Sequence, residues 1–204
     1  MKRHKIGIMG GTFNPIHNGH IALAQAAYDF CGLDEVWFMP SGVSYLKEQK
    51  NIVSGQHRLE MTKLAVQGVP YCVSSEMEVC REGYTYTVDT LRLLHEMYPD
   101  NDFYFIMGAD SLFGLPKWRE PEKIADLCTL VAVARDDVDA QELQAQQLLI
   151  ERTLDAHVVL VPFRKVPISS SNIREKLQKG ECVADMVPAE VLRYIEQHKL
   201  YKEV

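Results

Sequence analysis

Short apolar runs alternate with longer amphipathic runs along the whole of this 204-residue chain. The apolar runs have the length of buried strands, and the amphipathic runs have the spacing of helices. This alternation predicts an α/β fold in which a mostly parallel, doubly wound sheet carries helices on both faces. The pattern contains no internal repeat, so each element has to be justified separately.

In the first half of the chain, turn residues mark where the expected elements end. The first helix ends at Gly32, the second begins at Ser54 and ends before Gly68, and the third stops before Pro99. Residues 43–54 have no clear period and are expected to form a loop. Expected strands are 5–9, 35–39 and 71–75, with an edge strand at 77–80, and expected helices are 18–31, 54–67 and 87–98.

The second half repeats the alternation. Dense apolar runs at 103–107, 130–134 and 158–161 predict buried strands. A loop at 115–118, a short helix at 122–127 and an exposed, glutamine-rich helix at 140–152 are expected between them. Helices at 169–178 and 188–198 would form a small C-terminal helical segment, about 169–204. We expect one Rossmann-like domain over 1–204, with ligands beyond the carboxyl ends of the strands.

The charge and cysteine content exclude several classes of protein. Twenty-two basic against 28 acidic residues give a formal net charge of −6, which argues against a broad nucleic-acid-binding face. No apolar stretch reaches membrane-spanning length, and the first apolar run is too short for a signal peptide. We expect a cytoplasmic protein without nucleic-acid or membrane partners, and a homo-oligomer stays open. The five cysteines, without a CxxC spacing, are expected to be mostly buried, reduced thiols.

One segment joins the first expected strand to the first expected helix; residues 10–20 read GGTFNPIHNGH. Strand, glycine turn and helix is a layout that presents backbone N–H groups to a phosphate. The segment has neither the Gly-Lys-Ser/Thr ending of a Walker loop nor the spacing of a GxGxxG motif. Gly10 and Gly11 would let the backbone approach a ligand, and Thr12 adds a hydroxyl and an amide.

The same segment carries two histidines, His17 and His20, three residues apart. On a first helical turn, both would face the same side. Imidazoles can donate hydrogen bonds to phosphate oxygens, and they become better partners as negative charge develops there. A tight turn with two helix-capping histidines is the alternative, but it does not account for the full string.

A second motif, ISSSNIR at residues 168–174, follows the last expected strand and starts a helix. By itself it is a common serine-rich helix cap. In this position it supplies free N–H donors, the hydroxyls of Ser169, Ser170 and Ser171, and the guanidinium of Arg174. Together with the first motif, it predicts a second clamp on a polyphosphate.

Two further segments follow the strand at 103–107. Gly108 and Asp110 come directly after it, and a carboxylate there suits a ribose hydroxyl, although a helix cap is the alternative. The next segment contains Leu115, Lys117 and Trp118. Its aromatic side chain is either core or a stacking platform for a heteroaromatic ring, and neighbouring amides could hold an anionic substituent.

Other candidate residues carry weaker signals. Thr85 and Tyr86 open the third helix and could give hydroxyls and N–H groups to an acid, or simply favour a strand. Lys47 and Arg58 could each reach a phosphate, with a solvated surface charge as the alternative for both.

These motifs resemble known ones. GGTFNPIHNGH resembles the GGTFDPxHxGH motif of the nucleotidyltransferase superfamily, with Asn14 where Asp is usual. ISSSNIR resembles its ISSTxIR motif, with Ser171 where Thr is usual. The similarity continues through YTYTVDTL, FIMGADS and LPKW and so covers nearly the whole chain. The fuller pattern is similar to that of the bacterial nicotinate-nucleotide adenylyltransferase family.

The resemblance implies a reaction of NAD biosynthesis. The 5′-phosphate of nicotinate mononucleotide would attack the α-phosphorus of ATP, giving deamido-NAD and pyrophosphate. Mg²⁺ would come with ATP, held by substrate phosphates and water, and no protein ligand to it is named. The implied catalytic residues are His17, His20, Lys47 and Arg174. Implied ATP contacts are Gly10, Gly11, Thr12, Phe13, His20, Gly108, Asp110, Ser169, Ser170, Ser171 and Arg174, and implied mononucleotide contacts are Thr85, Tyr86, Leu115, Lys117 and Trp118.

Alternatives remain open at this point. Within enzymes, the acceptor could be nicotinamide mononucleotide or phosphopantetheine, and cytidylyl transfer is less favoured. A nucleotide-binding regulator without turnover is a hypothesis of a different class. It is disfavoured because His17, His20, Lys47 and Arg174 are all present.

Overall fold

The computed structural model describes residues 3–44, 52–134, 139–164 and 166–202. The strands are β1 (His4–Gly11), β2 (Glu35–Pro40), β3 (Val43–Ser44), β4 (Cys72–Ser74), β5 (Tyr84–Thr85), β6 (Asn101–Gly108), β7 (Thr129–Ala134) and β8 (Val158–Pro162). The helices are α1 (Asn18–Cys31), α2 (Gly55–Val66), α3 (Thr87–Met97), α4 (Ala109–Gly114), α5 (Pro121–Leu127), α6 (Ala140–Leu154), α7 (Ser170–Gln178) and α8 (Ala189–Gln197), with a 3-10 helix at Leu115–Lys117.

Six of these strands form one parallel sheet in the order β4-β2-β1-β6-β7-β8. The chain builds outward from β1 to one edge, then returns to β6 and builds to the other edge. Strands β1 and β6 are therefore neighbours whose following connections diverge, which leaves a crevice at their carboxyl ends. The predicted Rossmann-like, doubly wound sheet is confirmed.

Helices cover both faces of the sheet. Helices α1, α2, α7 and α8 contribute to one hydrophobic cluster, and α3, α4, α5 and α6 contribute to the other. Both C-terminal helices thus share a core with α1. Burial on both faces explains why the strand residues are nearly all apolar.

Local sequence signals set several of the element boundaries. Gly32 ends α1 in the left-handed conformation, with φ of 58°. The Ser54 hydroxyl accepts from the His57 N–H at 3.3 Å and caps α2. In the middle of β1, a Cβ at Gly7 would lie 2.7 Å from the Leu33 side chain and 2.8 Å from that of Ile106, so a larger residue would force these side chains to move.

Three expectations about the elements were wrong. Residues 77–80 form a turn instead of an edge strand. The expected loop at 43–54 begins with β3, which pairs in parallel with β5. The chain after β6 forms α4 and a 3-10 helix, where no helix was expected before residue 118. Short elements of this kind depend on tertiary contacts, so their local patterns are weak.

The cysteine prediction also needs correction. Of the five free thiols, only Cys128 is buried, whereas Cys31 and Cys72 are half-buried and Cys80 and Cys182 are exposed. An apolar neighbourhood in sequence does not place a side chain on the inner face of its element. In the described part of the chain, no helix combines the length and apolar character needed to cross a membrane.

Candidate active site

The loop after β1 folds back over its own phenylalanine. A Cβ at Gly11 would lie 2.6 Å from the Phe13 ring, so the absence of a side chain makes room for that ring. Phe13 takes the left-handed conformation, with φ of 47°, and packs against Phe38 and the edge of His20. Its side chain belongs to the core, which leaves only its backbone to face a ligand.

His17 and His20 lie together at the start of α1, as their spacing predicted. Their rings stack with centroids 3.7 Å apart and an interplanar angle of 26°. A Cβ at Gly19 would lie 3.0 Å from His17 Nδ1, so this glycine leaves space for the ring.

A backbone contact fixes the tautomer of His20. The His17 N–H donates to Nδ1 of His20 at 3.2 Å. Because a backbone N–H can only donate, Nδ1 is the acceptor, and the neutral ring carries its proton on Nε2. His20 therefore carries its N–H donor at Nε2 without needing a positive charge.

The start of α7 is bound directly to the loop that carries the histidines. The Ser170 hydroxyl donates to the Pro15 carbonyl at 2.9 Å, and Arg174 Nη1 donates to the Asn14 carbonyl at 2.7 Å. The Ser169 hydroxyl caps α7 by accepting from the Asn172 N–H at 3.2 Å. Ser171 is exposed, and its hydroxyl lies 3.4 Å from Arg174 Nη2. The two motifs that were predicted to bind phosphate are thus brought together.

A cavity of about 530 Å³ lies between the start of α1 and the segment that leads into α7. Its lining combines the two imidazoles and two serines with apolar side chains. The lining residues are His17, Gly19, His20, Leu23, Phe163, Val166, Pro167, Ile168, Ser169 and Ser170. The arrangement suits a flat heteroaromatic group joined to a phosphate chain.

Arg58 was expected to contact a phosphate or to lie on the surface, and both expectations were wrong. It is 4% exposed, and it donates to the carbonyls of Thr12 at 2.9 Å and Val53 at 3.3 Å. Burial lowers the pKa of this guanidinium, with smaller opposing effects from Tyr201 and Glu78. Arg58 therefore connects the loop after β1 to the segment before α2 through these two carbonyls.

Asn14 has a structural role that the sequence did not signal. Its side-chain oxygen accepts from the Val53 N–H at 3.2 Å and from the Tyr201 hydroxyl at 2.9 Å. Burial raises the pKa of Tyr201, which keeps its hydroxyl protonated as a donor. Both partners are distant in sequence, so no local pattern could have identified them.

At the end of β6, Gly108 caps α4, and Asp110 is exposed in the first turn of that helix. Leu115 is fully buried, its N–H donates to the Leu112 carbonyl, and its own carbonyl accepts from the Trp118 N–H at 2.9 Å. Lys117 is exposed.

Trp118 packs against Phe105 of β6, the strand next to β1. Its ring is half-buried and meets Phe105 edge-on, with centroids 5.9 Å apart. The same Phe105 ring lies 3.8 Å from the position of a Cβ at Gly10. One phenyl ring therefore separates the tryptophan from the glycine turn.

Thr85 and Tyr86 lie where α3 begins, and Tyr86 is the residue directly before the helix. Thr85 is 6% exposed and hydrogen-bonds the Glu78 side chain. Burial raises the pKa of Glu78, and hydrogen bonds from Thr90 and Thr85 partly oppose this effect. The Arg119 guanidinium lies 4.5 Å from the centre of the Tyr86 ring, so this end of α3 meets the segment that contains Trp118.

The candidate residue Lys47 lies outside the described residues. For a metal, the described ranges contain no group of three or more His, Cys, Asp and Glu side chains placed to hold an ion.

The fold and the paired motifs define a class of nucleotide-transferring protein. Residues 8–176 match the family model described as cytidylyltransferase-like, and the chain belongs to that family. Within it, the chain groups with the nicotinate-nucleotide adenylyltransferases, as its relatives show. A probable nicotinate-nucleotide adenylyltransferase from Lachnoclostridium phytofermentans is 40% identical over 197 residues, 97% of this chain and 98% of that protein. One from Dehalococcoides mccartyi is 42% identical over 203 residues, 97% of each chain.

A solved structure agrees in fold. The nicotinic acid mononucleotide adenylyltransferase of Plasmodium falciparum, complexed with NaAD, superimposes with a TM-score of 0.79. The match covers 97% of each chain at 21% sequence identity. The architecture is therefore shared over the whole domain, although most residues differ.

Proposed function

We propose that this protein transfers AMP from ATP to nicotinate mononucleotide and releases pyrophosphate, in the cytoplasm, as a step of NAD biosynthesis. The observation that carries the proposal is the stacked imidazole pair, which faces the capped start of α7 across one cavity. The names of the relatives support the choice of acceptor.

The chemistry needs positioning more than it needs a base. The attacking phosphate of the mononucleotide is already anionic, so it requires no deprotonation. Charge grows on the oxygens of the α-phosphate as the new bond forms. The Nε2–H of His20, set by the backbone contact to Nδ1, donates to one of these oxygens and stabilises that charge. His17 holds the second ring in place and binds the same phosphate.

The lining of the cavity supports one orientation of ATP. Its base would lie against the apolar residues Leu23, Phe163 and Ile168, and its phosphates would lie at the start of α7. There the helix N-terminus, Ser170 and Arg174 favour negative charge. Lys47 would add a cation, and Gly108 and Asp110 would meet the ribose; these roles stay predictions.

Mg²⁺ would be bound mainly by the ATP phosphates and water, because it keeps its waters and prefers phosphate oxygens. The polar groups of the cavity are imidazoles and hydroxyls, which fits an ion carried by the nucleotide. When bound, it neutralises charge on the leaving pyrophosphate.

The mononucleotide would lie between Trp118 and the start of α3. The pyridine ring would stack on the indole, and its carboxylate would face the first N–H groups of the helix. Tyr86 and Thr85 shape that end of the helix, and Lys117 lies on the exposed side.

Pyrophosphate release tests the proposal. The purified protein is mixed with ATP, Mg²⁺ and one acceptor at a time: nicotinate mononucleotide, nicotinamide mononucleotide or phosphopantetheine. We expect the highest kcat/KM with nicotinate mononucleotide. A higher value with another acceptor would reassign the substrate, and nucleotide binding without pyrophosphate from any acceptor would favour a regulator.

A further inference from the structure

The segment that carries Trp118 ends in a strained turn that a neighbouring helix holds in place. Glu120 takes the left-handed conformation, with φ of 51°, and Pro121 then begins α5. Arg92 of α3 donates to the Glu120 carboxylate from Nη2 at 2.5 Å and from Nη1 at 3.3 Å. The pairing lowers the pKa of Glu120. An L side chain disfavours this conformation, so a specific partner is needed to fix the turn.

A second set of contacts connects the same turn to the start of α3. Arg119 stacks over the Tyr86 ring and places Nη1 at 3.7 Å from Asp89. Arg92 also approaches Asp89, at 3.4 Å. We call the four charged residues Asp89, Arg92, Arg119 and Glu120 the α3–α5 network.

The network joins the two elements that carry the surfaces that the mononucleotide would need. Trp118 is on one side, in the segment before α5, and the N–H groups that start α3 are on the other. A flat, rigid ligand held from two separate elements requires a fixed gap between them. Among the ionic contacts of the described residues, those of the α3–α5 network join these two elements.

The exposure of its four side chains indicates that the network contributes little to the stability of the whole fold. The side chains of Asp89, Arg92, Arg119 and Glu120 are 29%, 41%, 51% and 40% exposed. Exposed ion pairs contribute little to folding, whereas they can fix the geometry of a turn. Loss of one pair should therefore change the turn and leave the rest of the fold intact.

We propose that Arg92 and Glu120 are positioning residues that set the gap between Trp118 and α3, and with it the KM for the mononucleotide. The inference rests on the proposed function, because it assigns a role within the same site. Neither residue is among the predicted substrate contacts, so both would act through Trp118 and Tyr86.

The test is a double-mutant cycle with Arg92→Gln, Glu120→Gln and the double variant. We expect each single variant to raise the KM for nicotinate mononucleotide about tenfold, with the KM for ATP and kcat little changed. The double variant should lie close to Arg92→Gln, since the Arg92–Glu120 pair is lost in either single variant and Arg92→Gln also loses the contact to Asp89. Arg92→Lys should fall between Arg92→Gln and the natural protein. Asp126→Asn, which breaks the exposed Lys123–Asp126 pair on α5, is the matched control and should change neither KM.

Fluorescence quenching measures the exposure of Trp118, which a general change in stability would not alter. In a Trp37→Phe background, Trp118 is the sole indole, since the chain has two tryptophans. We expect acrylamide to quench Trp118 more strongly in Arg92→Gln than in the parent, before any ligand is added. Urea unfolding should give equal midpoints for both proteins.

Several outcomes would overturn the inference or locate the error. An unchanged mononucleotide KM in both single variants, or additive effects in the double variant, removes the positioning role. If Trp118→Ala itself leaves that KM unchanged, the proposed mononucleotide site is wrong. If only Trp118→Ala raises it, the site stands and the role of the network falls.

Discussion

At the scale of single residues, the imidazole pair shows how a three-residue spacing brings two side chains into contact. Three residues of helix place two rings in contact, and one backbone N–H selects the tautomer of the second ring. Neither effect needs a buried charge. The spacing of His17 and His20 predicted their proximity because first-turn residues share a face.

Replacement of His20 by alanine should lower kcat at least ~100-fold, the scale of losing one donor to a developing oxyanion. Steady-state pyrophosphate release with saturating ATP and mononucleotide measures kcat. His157→Ala removes an exposed imidazole away from the cavity and serves as control. A folded His20→Ala protein with nearly normal kcat would contradict the role.

Replacement of Trp118 by alanine should act mainly through the KM for nicotinate mononucleotide. Loss of a stacked aromatic ring removes about 1–3 kcal/mol of interaction with a base-like ring. Initial rates with varied mononucleotide at fixed, saturating ATP give the value. Trp118→Phe should retain much of the affinity, and an unchanged KM in Trp118→Ala would take this residue out of the site.

Sequence reasoning failed for residues whose partners are far away. Arg58 and Asn14 were identified in the sequence, but their contacts to Thr12, Val53 and Tyr201 depend on packing of the whole domain. A buried guanidinium and a solvated one have the same local sequence. The difference appears only once α2 has docked against the sheet.

At the scale of elements, the site consists of helix starts that face one another. Helix α1 begins directly after His17 and α7 begins directly after Ser169, and the loop after β1 leads into α1 and contacts α7. Strand–turn–helix patterns are locally encoded, so both starts could be predicted. Helix α4 was missed because it has only six residues and runs directly into a 3-10 turn.

The cap of α7 gives a prediction for this scale. Ser169→Ala removes the oxygen that accepts from the Asn172 N–H and should lower the free energy of unfolding by about 1 kcal/mol. Urea titration followed by circular dichroism measures the change. Ser169→Asp keeps a capping oxygen and should retain most of the stability. Equal losses in both variants would show that the cap is not the cause.

At the scale of the whole molecule, the order of the strands places the site. The connections that leave β1 and β6 diverge, and the glycine turn and Trp118 lie at that point, on either side of Phe105. The order could not be derived from the sequence directly. It follows from packing two apolar faces with helices of limited length.

Thiol reactivity reports the integrity of this packing. In the folded protein at pH 7.5, iodoacetamide should modify Cys80 and Cys182 first, because both are exposed. Cys128 should resist, since burial raises its pKa to about 12 and excludes the reagent. Peptide mass spectrometry gives the order, and urea-unfolded protein, where all thiols react, is the control. Early modification of Cys128 would contradict the buried core.

The hydrogen bond between Asn14 and Tyr201 has a consequence for biosynthesis. The two residues are separated by 187 positions, and the glycine loop also receives Ser170 and Arg174 from across the sequence. A ribosome therefore translates this loop early and its partners late. The loop reaches its final set of hydrogen bonds only after residue 201 has emerged, so a nascent chain that already displays both histidines lacks the contacts that fix this loop.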